Sequence, residues 1–146
     1  MITVRPIAAG DVESLARNVK PKPLLHEARA QLQREGEALY LIALDDGRPV
    51  GHALLQFPPL GLEDVPEVED LFVAPRSRSH GIGTQLLEEA ERAARGRGYD
   101  GIGLAVGVEN AGAQRLYARA GYADSGRGEF WLEGAHETCR YLVKAL

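Results

Sequence analysis

The segment Arg76-Ser77-Arg78-Ser79-His80-Gly81-Ile82-Gly83-Thr84 holds residues suited to one task, the binding of a phosphate. Gly81 and Gly83 remove side chains that would keep an anion off the backbone, and Arg76, Arg78 and His80 supply donors beside it. Ile82, Leu86, Leu87, Ala90 and Ala94 recur at helical spacing, so the glycines fall where a helix begins. The first amides of a helix lack carbonyl partners, and its dipole adds a partial positive charge there. That field is worth about 0.3–2 kcal/mol to an anion, and charge-assisted hydrogen bonds add more. Rival phosphate loops fit less well. A Walker loop needs a lysine where Thr84 follows Gly83, and a dinucleotide fingerprint needs a third glycine where Leu86 stands. The plain alternative is a glycine-rich strand–helix connection that binds nothing.

Other polar residues are less telling. Glu63, Asp64, Glu67, Glu69 and Asp70 form an acidic stretch that either attracts a cationic amine or solvates a strand edge. Strand alternation places Glu67 and Glu69 on one face and Asp70 on the other. Four scattered histidines and one cysteine lack ligand spacing, so no metal site is expected. A single cysteine excludes an internal disulfide and suits a reducing compartment. Cys139 reads as a core residue of the last strand, while Phe130 and Trp131 either fill the core or line a pocket.

The elements that must position these residues follow from periodicity and turn chemistry. Ile2 and Val4 alternate with polar neighbours as in a short strand. Asp11 stands where it would cap a helix from Val12. A second helix, Leu24 to Arg34, would bury Leu25, Ala28 and Leu32. Strands at Ala38–Leu44 and Val50–Phe57 flank the turn Asp45-Asp46-Gly47-Arg48-Pro49 and form an antiparallel hairpin. A third long strand, within Val65–Val73 and starting near Glu67, delivers the chain to the glycine turn. The helix from Ile82 stops at Gly96-Arg97-Gly98. A strand at Gly101–Val108, a short helix at Ala111–Ala120, and strands at Phe130–Leu132 and Thr138–Lys144 complete the chain. The order βααβββαβαββ predicts a mixed sheet with helices on its faces, in one domain over residues 1–146.

Composition sets the outer bounds. The 146 residues, 45% hydrophobic and 26% charged, describe a globular chain able to bury a core without disulfides. A net charge of −4 disfavours general nucleic-acid binding. No apolar stretch suits a membrane span, and Met1–Pro6 does not open a signal peptide, so a cytoplasmic protein with no membrane partner is expected.

Two motifs, in order, resemble the GNAT (GCN5-related N-acetyltransferase) superfamily. Arg78-Ser79-His80-Gly81-Ile82-Gly83 is similar to its Gln/Arg-x-x-Gly-x-Gly/Ala pyrophosphate motif. Asn110, Ala113, Leu116-Tyr117 and Gly121-Tyr122 are similar to its Asn-x-x-Ala-x-x-Leu-Tyr-x-x-x-Gly-Phe/Tyr pattern. The opening Ile2-Thr3-Val4-Arg5-Pro6 and Asp11 also look like its first strand and helix start. Ser79 and His80 depart from it, since many members carry glycine and a basic residue there.

The resemblance implies an α/β (α+β) fold. It has a mixed, mostly antiparallel sheet of six to seven strands, about four helices, and central strands that splay to admit acetyl-CoA. It further implies acetyl transfer from acetyl-CoA, without a metal, to a primary amine of a small molecule or peptide through a tetrahedral intermediate. The alternative is a non-catalytic coenzyme A-binding or regulatory module of the same fold. A lysine-like amine must first lose its proton, at roughly 4–5 kcal/mol at neutral pH, so a base is needed; the resemblance points to Glu67 or Glu69 without choosing. A backbone amide at Leu71, Phe72 or Val73 would receive the oxyanion. Arg76, Arg78, Ser79, His80, Gly81, Ile82, Gly83 and Thr84 would hold the pyrophosphate. Asn110 and Ala113 would meet the pantetheine arm, with Asn110 also a helix cap, and Tyr117 would be the general acid beside the sulfur. Val19–Leu24, Phe57–Pro66 and Ala123–His136 would wall the acceptor site, and none carries a signature that names the acceptor. A homodimer through the last strands is possible.

Overall fold

Apolar residues occupy nearly every position of Ala38–Leu44 and Val50–Leu55, and almost all are buried. Strands so apolar on both faces need covering on both, and the structure, a computed structural model describing residues 1–146, provides it. The elements are β1 (Ile2–Pro6), α1 (Asp11–Asn18), α2 (Pro23–Arg34), β2 (Ala38–Asp45), β3 (Arg48–Gln56), β4 (Glu67–Val73), α3 (Ile82–Gly96), β5 (Gly101–Gly107), α4 (Ala111–Arg119), β6 (Ala123–Asp124), β7 (Phe130–Leu132) and β8 (Glu137–Ala145). The sheet order is β1-β2-β3-β4-β5-β8-β6, with β7 also on β8, and every pairing except β4–β5 is antiparallel.

One core layer, with Ile7, Leu15, Tyr40, Ile42 and Leu54, lies beneath α1 and α2. The other, with Val68, Ile82, Leu86, Leu87, Leu104 and Tyr117, lies beneath α3 and α4. A fully buried leucine such as Leu15 or Leu86 contributes about 1.5–3 kcal/mol through the area it removes from water. No helix is long and apolar enough to cross a membrane.

Three local expectations are corrected. Gly10, at φ 88°, caps α1 in place of Asp11. The Asp11 carboxylate instead accepts from the Ala8 amide at 2.6 Å and from Arg5 at 2.7 and 3.1 Å, which ties β1 to α1. Helix α2 begins at Pro23, whose missing N–H costs nothing in a first turn. It buries His26, Arg29 and Ala30, while Ala28 is exposed and Leu25 and Leu32 are half-buried. That face is polar because it meets polar partners in the sheet, Tyr40 and Asp70. Finally, the two-residue strand β6 escapes any periodicity argument because it is too short to alternate; it pairs Ala123 with Val143 and Asp124 with Leu142.

Strand β4 positions the candidate site. His52 of β3 faces Phe72, whereas Leu54 faces Glu69, so Asp70 and Leu71 together oppose one residue, Ala53. This is a β-bulge, and Asp70 takes the left-handed φ of 52° within it. Val68, Leu71 and Val73 pack against the α3 layer. A spacing of three between Val68 and Leu71 is incompatible with a regular strand of period two, and the extra residue at Asp70 absorbs it. Asp70 therefore faces α1 and α2 together with Glu69, not the opposite face expected from simple alternation. The parallel ladder between β4 and β5 has only two residue pairs, Glu67 with Gly103 and Val68 with Leu104. Beyond it the strands part, and β5 continues on β8 alone.

Candidate functional site

On the α3 and α4 side, the chain leaves β4 through a single 3-10 turn, Pro75–Ser77, and enters α3 at Gly81. The amides of Ser79 through Thr84 donate to no carbonyl or side chain of the protein. They form a run of six unpaired donors at a helix N-terminus, the arrangement that binds a phosphate. Ser79 and Gly81 both have left-handed backbones, at φ 66° and 76°. A left-handed φ is one that glycine adopts freely, so Ser79 holds a backbone conformation that would suit glycine.

Each cradle residue plays a distinct part. A β-carbon on Gly81 would touch nothing within 4 Å, so its bareness serves space outside the fold. A β-carbon on Gly83 would stand 3.2 Å from Leu116 Cδ2, so Gly83 also lets α3 approach α4. Ile82 is a core residue and offers only its amide. Arg78 folds back: its Nε donates to the Val73 carbonyl at 2.8 Å and its guanidinium lies 5.3 Å from the centre of the Phe72 ring. The His80 Nδ1–H donates to the Ser77 carbonyl at 3.2 Å. Arg76 borders a separate shallow cleft with Arg17 and Arg48. Thr84 is half-buried one turn into the helix.

Helix α4 opens beside this turn. Asn110 Oδ1 accepts from the Ala113 amide at 3.1 Å and so caps the helix. Gln114, which drew no notice in the sequence, donates to the Gly107 and Val108 carbonyls at 2.9 Å and fastens α4 to the end of β5. Tyr117 is 8% exposed and packs edge-on against Tyr122, with ring centres 6.1 Å apart. Its hydroxyl bonds to nothing in the protein. Since only His52 and Tyr141 have sealed side-chain atoms without partners, the Tyr117 oxygen reaches open space. Burial, with a small repulsion from Asp70, pushes its phenol up to about 12.

The other side of the splay is a cleft of about 680 Å3 beneath α2, lined among others by Lys20, Arg29, Glu67, Glu69, Asp70 and Ala105. Glu67 is 7% exposed, and its Oε1 accepts from the Leu62 amide at 2.8 Å. Burial raises its carboxyl, the Leu62 amide opposes, and Glu69 adds to the rise. Glu69 is more exposed but crowded by the cleft walls, and its carboxyl is raised as well. Tyr117 does not line this cleft. The two carboxylates and the tyrosine thus lie on opposite sides of the sheet. Trp131 is exposed and stands beside Asn110, while Phe130 lies under Arg127; neither lines the larger cleft. Cys139 is buried and is among the residues that line it.

Beneath the bulge lies a charged cluster that sequence reading missed. Lys20 Nζ donates to both Asp70 oxygens, at 2.9 and 3.0 Å, and Arg29 NH1 to Oδ2 at 2.8 Å. Burial pushes the Asp70 carboxyl up, but the two cations outweigh it and hold it at about 2. The Lys20 carbonyl can only accept, so His26 Nε2 carries the proton, and Nδ1 takes the Tyr40 hydroxyl at 2.7 Å. His52 Nδ1 stands 4.0 Å from Asp70 Oδ2, too far to bond, and both its nitrogens are sealed without partners. Burial drives its imidazole down to about 3 despite Asp70. The readable signal was the broken alternation from Val68 to Leu71, which demanded a bulge at an acidic residue.

Free amides run along the entrance to α3, the β4–β5 ladder of a mixed α/β sheet ends after two residue pairs, and a polar cleft lies on the α2 side of that sheet. The chain matches the Acetyltransferase (GNAT) family over residues 10–122 and belongs to it. It is 30% identical to the IAA acetyltransferase of Azospirillum brasilense over 138 residues, 92% of this chain and 88% of that protein. It is 33% identical to an uncharacterized N-acetyltransferase of Methanocaldococcus jannaschii over 104 residues, 69% of this chain but only 46% of that protein. A GNAT family acetyltransferase from Elizabethkingia anophelis, solved with acetyl-CoA bound, shares the fold, with a TM-score of 0.69 and 21% identity over 99% of this chain and 98% of that one.

Proposed function

We propose that this protein is an acetyl-CoA-dependent N-acetyltransferase, moving an acetyl group directly to a primary amine of a small molecule or peptide. The observation that carries this reading is the pairing of free amides at residues 79–84, where α3 begins, with raised carboxylates at Glu67 and Glu69 in the cleft beneath α2, around a β4–β5 ladder of only two residue pairs. Those amides, with Gly81, fit the pyrophosphate of the donor. Asn110, Ala113 and the unpaired edge of β4 at Leu71, Phe72 and Val73 would hold its thioester arm.

The chemistry then divides among named groups. The amine nitrogen forms a bond to the thioester carbon as the C–S bond breaks, and one amine proton must leave. Glu67, with Oε2 still free, or Glu69 accepts that proton; a carboxyl raised above its ordinary value is the stronger base. An amide of residues 71–73 stabilises the oxyanion. Tyr117 remains protonated at neutral pH, and a phenol near 12 is a weaker acid than a thiol near ~8.5. It therefore supports the departing thiolate by donating a hydrogen bond, while the released amine proton balances the reaction.

Calorimetry with acetyl-CoA, ATP and NAD, paired with free-thiol release across amine classes, tests this reading. Acetyl-CoA is expected to bind and an amine to release thiol. Binding of ATP in preference to acetyl-CoA would sink it.

A further inference from the structure

The cleft behind β4 is charged in an uneven way. Glu67, Glu69 and Glu137 stand on β4 and β8, whereas Lys20, Lys22 and Arg29 stand on the α1–α2 connection and on α2. Asp70 answers two of these cations, so the group of Lys20, Arg29 and Asp70 keeps one positive charge, and the unbonded Lys22 adds another.

Arg29 is the informative residue. Its side chain is only 9% exposed, yet it donates through NH1 alone, to Asp70 and to the Tyr40 oxygen at 3.4 Å. The Nε–H and NH2 donors have no protein partner, and neither is sealed from solvent. They therefore open onto the cleft that Arg29 lines. A guanidinium edge that is largely dehydrated and left unpaired is costly, and its fork matches the two oxygens of an acid group.

We propose that the acceptor is a compact zwitterion, a primary amine bearing a carboxylate or phosphonate, with its acid group on the free edge of Arg29 and on Lys22 and its amine at Glu67 and Glu69. This assignment rests on the transferase reading above. An amine without an acid group would leave the Arg29 edge unpaired. A polyamine would press its second ammonium against Arg29 and Lys22. The cleft, at about 680 Å3, is of small-molecule size.

The test compares thiol release from acetyl-CoA with four acceptors: 3-aminopropanoate, 2-aminoethylphosphonate, propylamine, which lacks the acid group, and spermidine. One or both acid-bearing amines should exceed propylamine in kcat/KM by about tenfold to a hundredfold, the worth of a charge-assisted hydrogen bond; which of the two leads distinguishes carboxylate from phosphonate. Arg29→Lys keeps a cation for Asp70 and loses the fork, and Lys22→Gln lies on the surface, so both should fold, as a denaturation curve would verify. Each should narrow the ratio of acid-bearing amine to propylamine, with Arg29→Lys bringing it within about threefold. Equal or better turnover of propylamine or spermidine by the wild type would overturn the zwitterion and leave acetyl transfer standing, as would variants that lower all four acceptors alike. Acetyl-CoA binding without thiol release from any acceptor would overturn the transferase reading, and this inference with it.

Discussion

Arg29 NH1 lies 2.8 Å from Asp70 Oδ2 and so joins the middle of α2 to the one residue of β4 with a left-handed backbone. A non-glycine residue at positive φ is strained by about 1–2 kcal/mol. Contacts that hold its side chain offset that strain and keep the bulge in place. The bulge turns Leu71 and Val73 toward α3 while Asp70 faces the cleft beneath α2, so this ion pair sets the geometry on both sides of the strand.

Asp70→Asn should cost about 3 kcal/mol of folding stability, because the half-buried Lys20 and the buried Arg29 would remain without a carboxylate. Chemical denaturation at pH 7 measures this. The pH dependence has a defined sign. Asp70 is held at about 2 in the folded state against 3.8 in the unfolded, so its contribution is complete above pH 4 and is lost as pH falls toward 2. The variant should lack that part of the acid slope; an unchanged slope would show that the cluster does not lower Asp70.

His52 acts over a higher range. Its folded value of about 3 lies below the ordinary 6.5, so the unfolded chain takes up a proton first, and stability declines as pH falls from 6.5 toward 3. His52→Leu removes that proton uptake and two sealed, unbonded nitrogens. We expect a gain of about 1–2 kcal/mol at pH 5 and a smaller one at pH 8. A loss at both pH values would mean that the imidazole has a partner the fold needs.

Gly81→Glu should abolish acetyl-CoA binding. The new side chain meets no protein atom within 4 Å at its β-carbon, so the defect comes from occupying the cradle and repelling an anion. The left-handed φ of 76° adds about 1 kcal/mol of strain, which thermal melting separates from the binding loss. An unaltered affinity by calorimetry would refute the cradle.

Tyr117→Phe should fold as well as the parent, since the hydroxyl has no hydrogen bond to lose and is not sealed. Turnover should fall by about a hundredfold with little change in acetyl-CoA affinity. Wild-type turnover would reduce Tyr117 to a packing residue of the α4 core.

Glu67→Gln separates the two candidate bases. If Glu67 accepts the amine proton, kcat/KM in the wild type rises with pH through its elevated pKa, and the variant loses that limb together with about 100-fold or more in rate. Retention of the limb in Glu67→Gln, and its loss in Glu69→Gln, would transfer the role to Glu69.

Much of this arrangement was legible in the chain. Helix α3 and the free amides before it follow from Ile82-to-Ala94 periodicity and two glycines, because helical spacing and missing side chains are local properties. The hairpin of β2 and β3 follows from its turn in the same way. What escaped was long-range. Arg29 lies 41 residues from Asp70, so α2 seemed to want an apolar stripe when its buried face actually answers a carboxylate in the sheet. Counting two-residue alternation put Asp70 on the wrong side, although the Val68–Leu71 interval already carried the irregularity. Gly83 read as open space for a ligand, and it also gives room to Leu116, a second role that no single motif can reveal.

The brevity of the β4–β5 ladder has a mechanical meaning. Two residue pairs are all that stitch β1–β4 to β5–β8 within the sheet, so this seam is the natural line along which the protein breathes. A donor lying in the seam would act as a rivet between the halves. By mass action its concentration would then govern how often the seam opens, and hydrogen exchange along β5 should slow as acetyl-CoA is added. The reagent consumed in each turnover would also be the fastener that keeps the enzyme closed between turnovers.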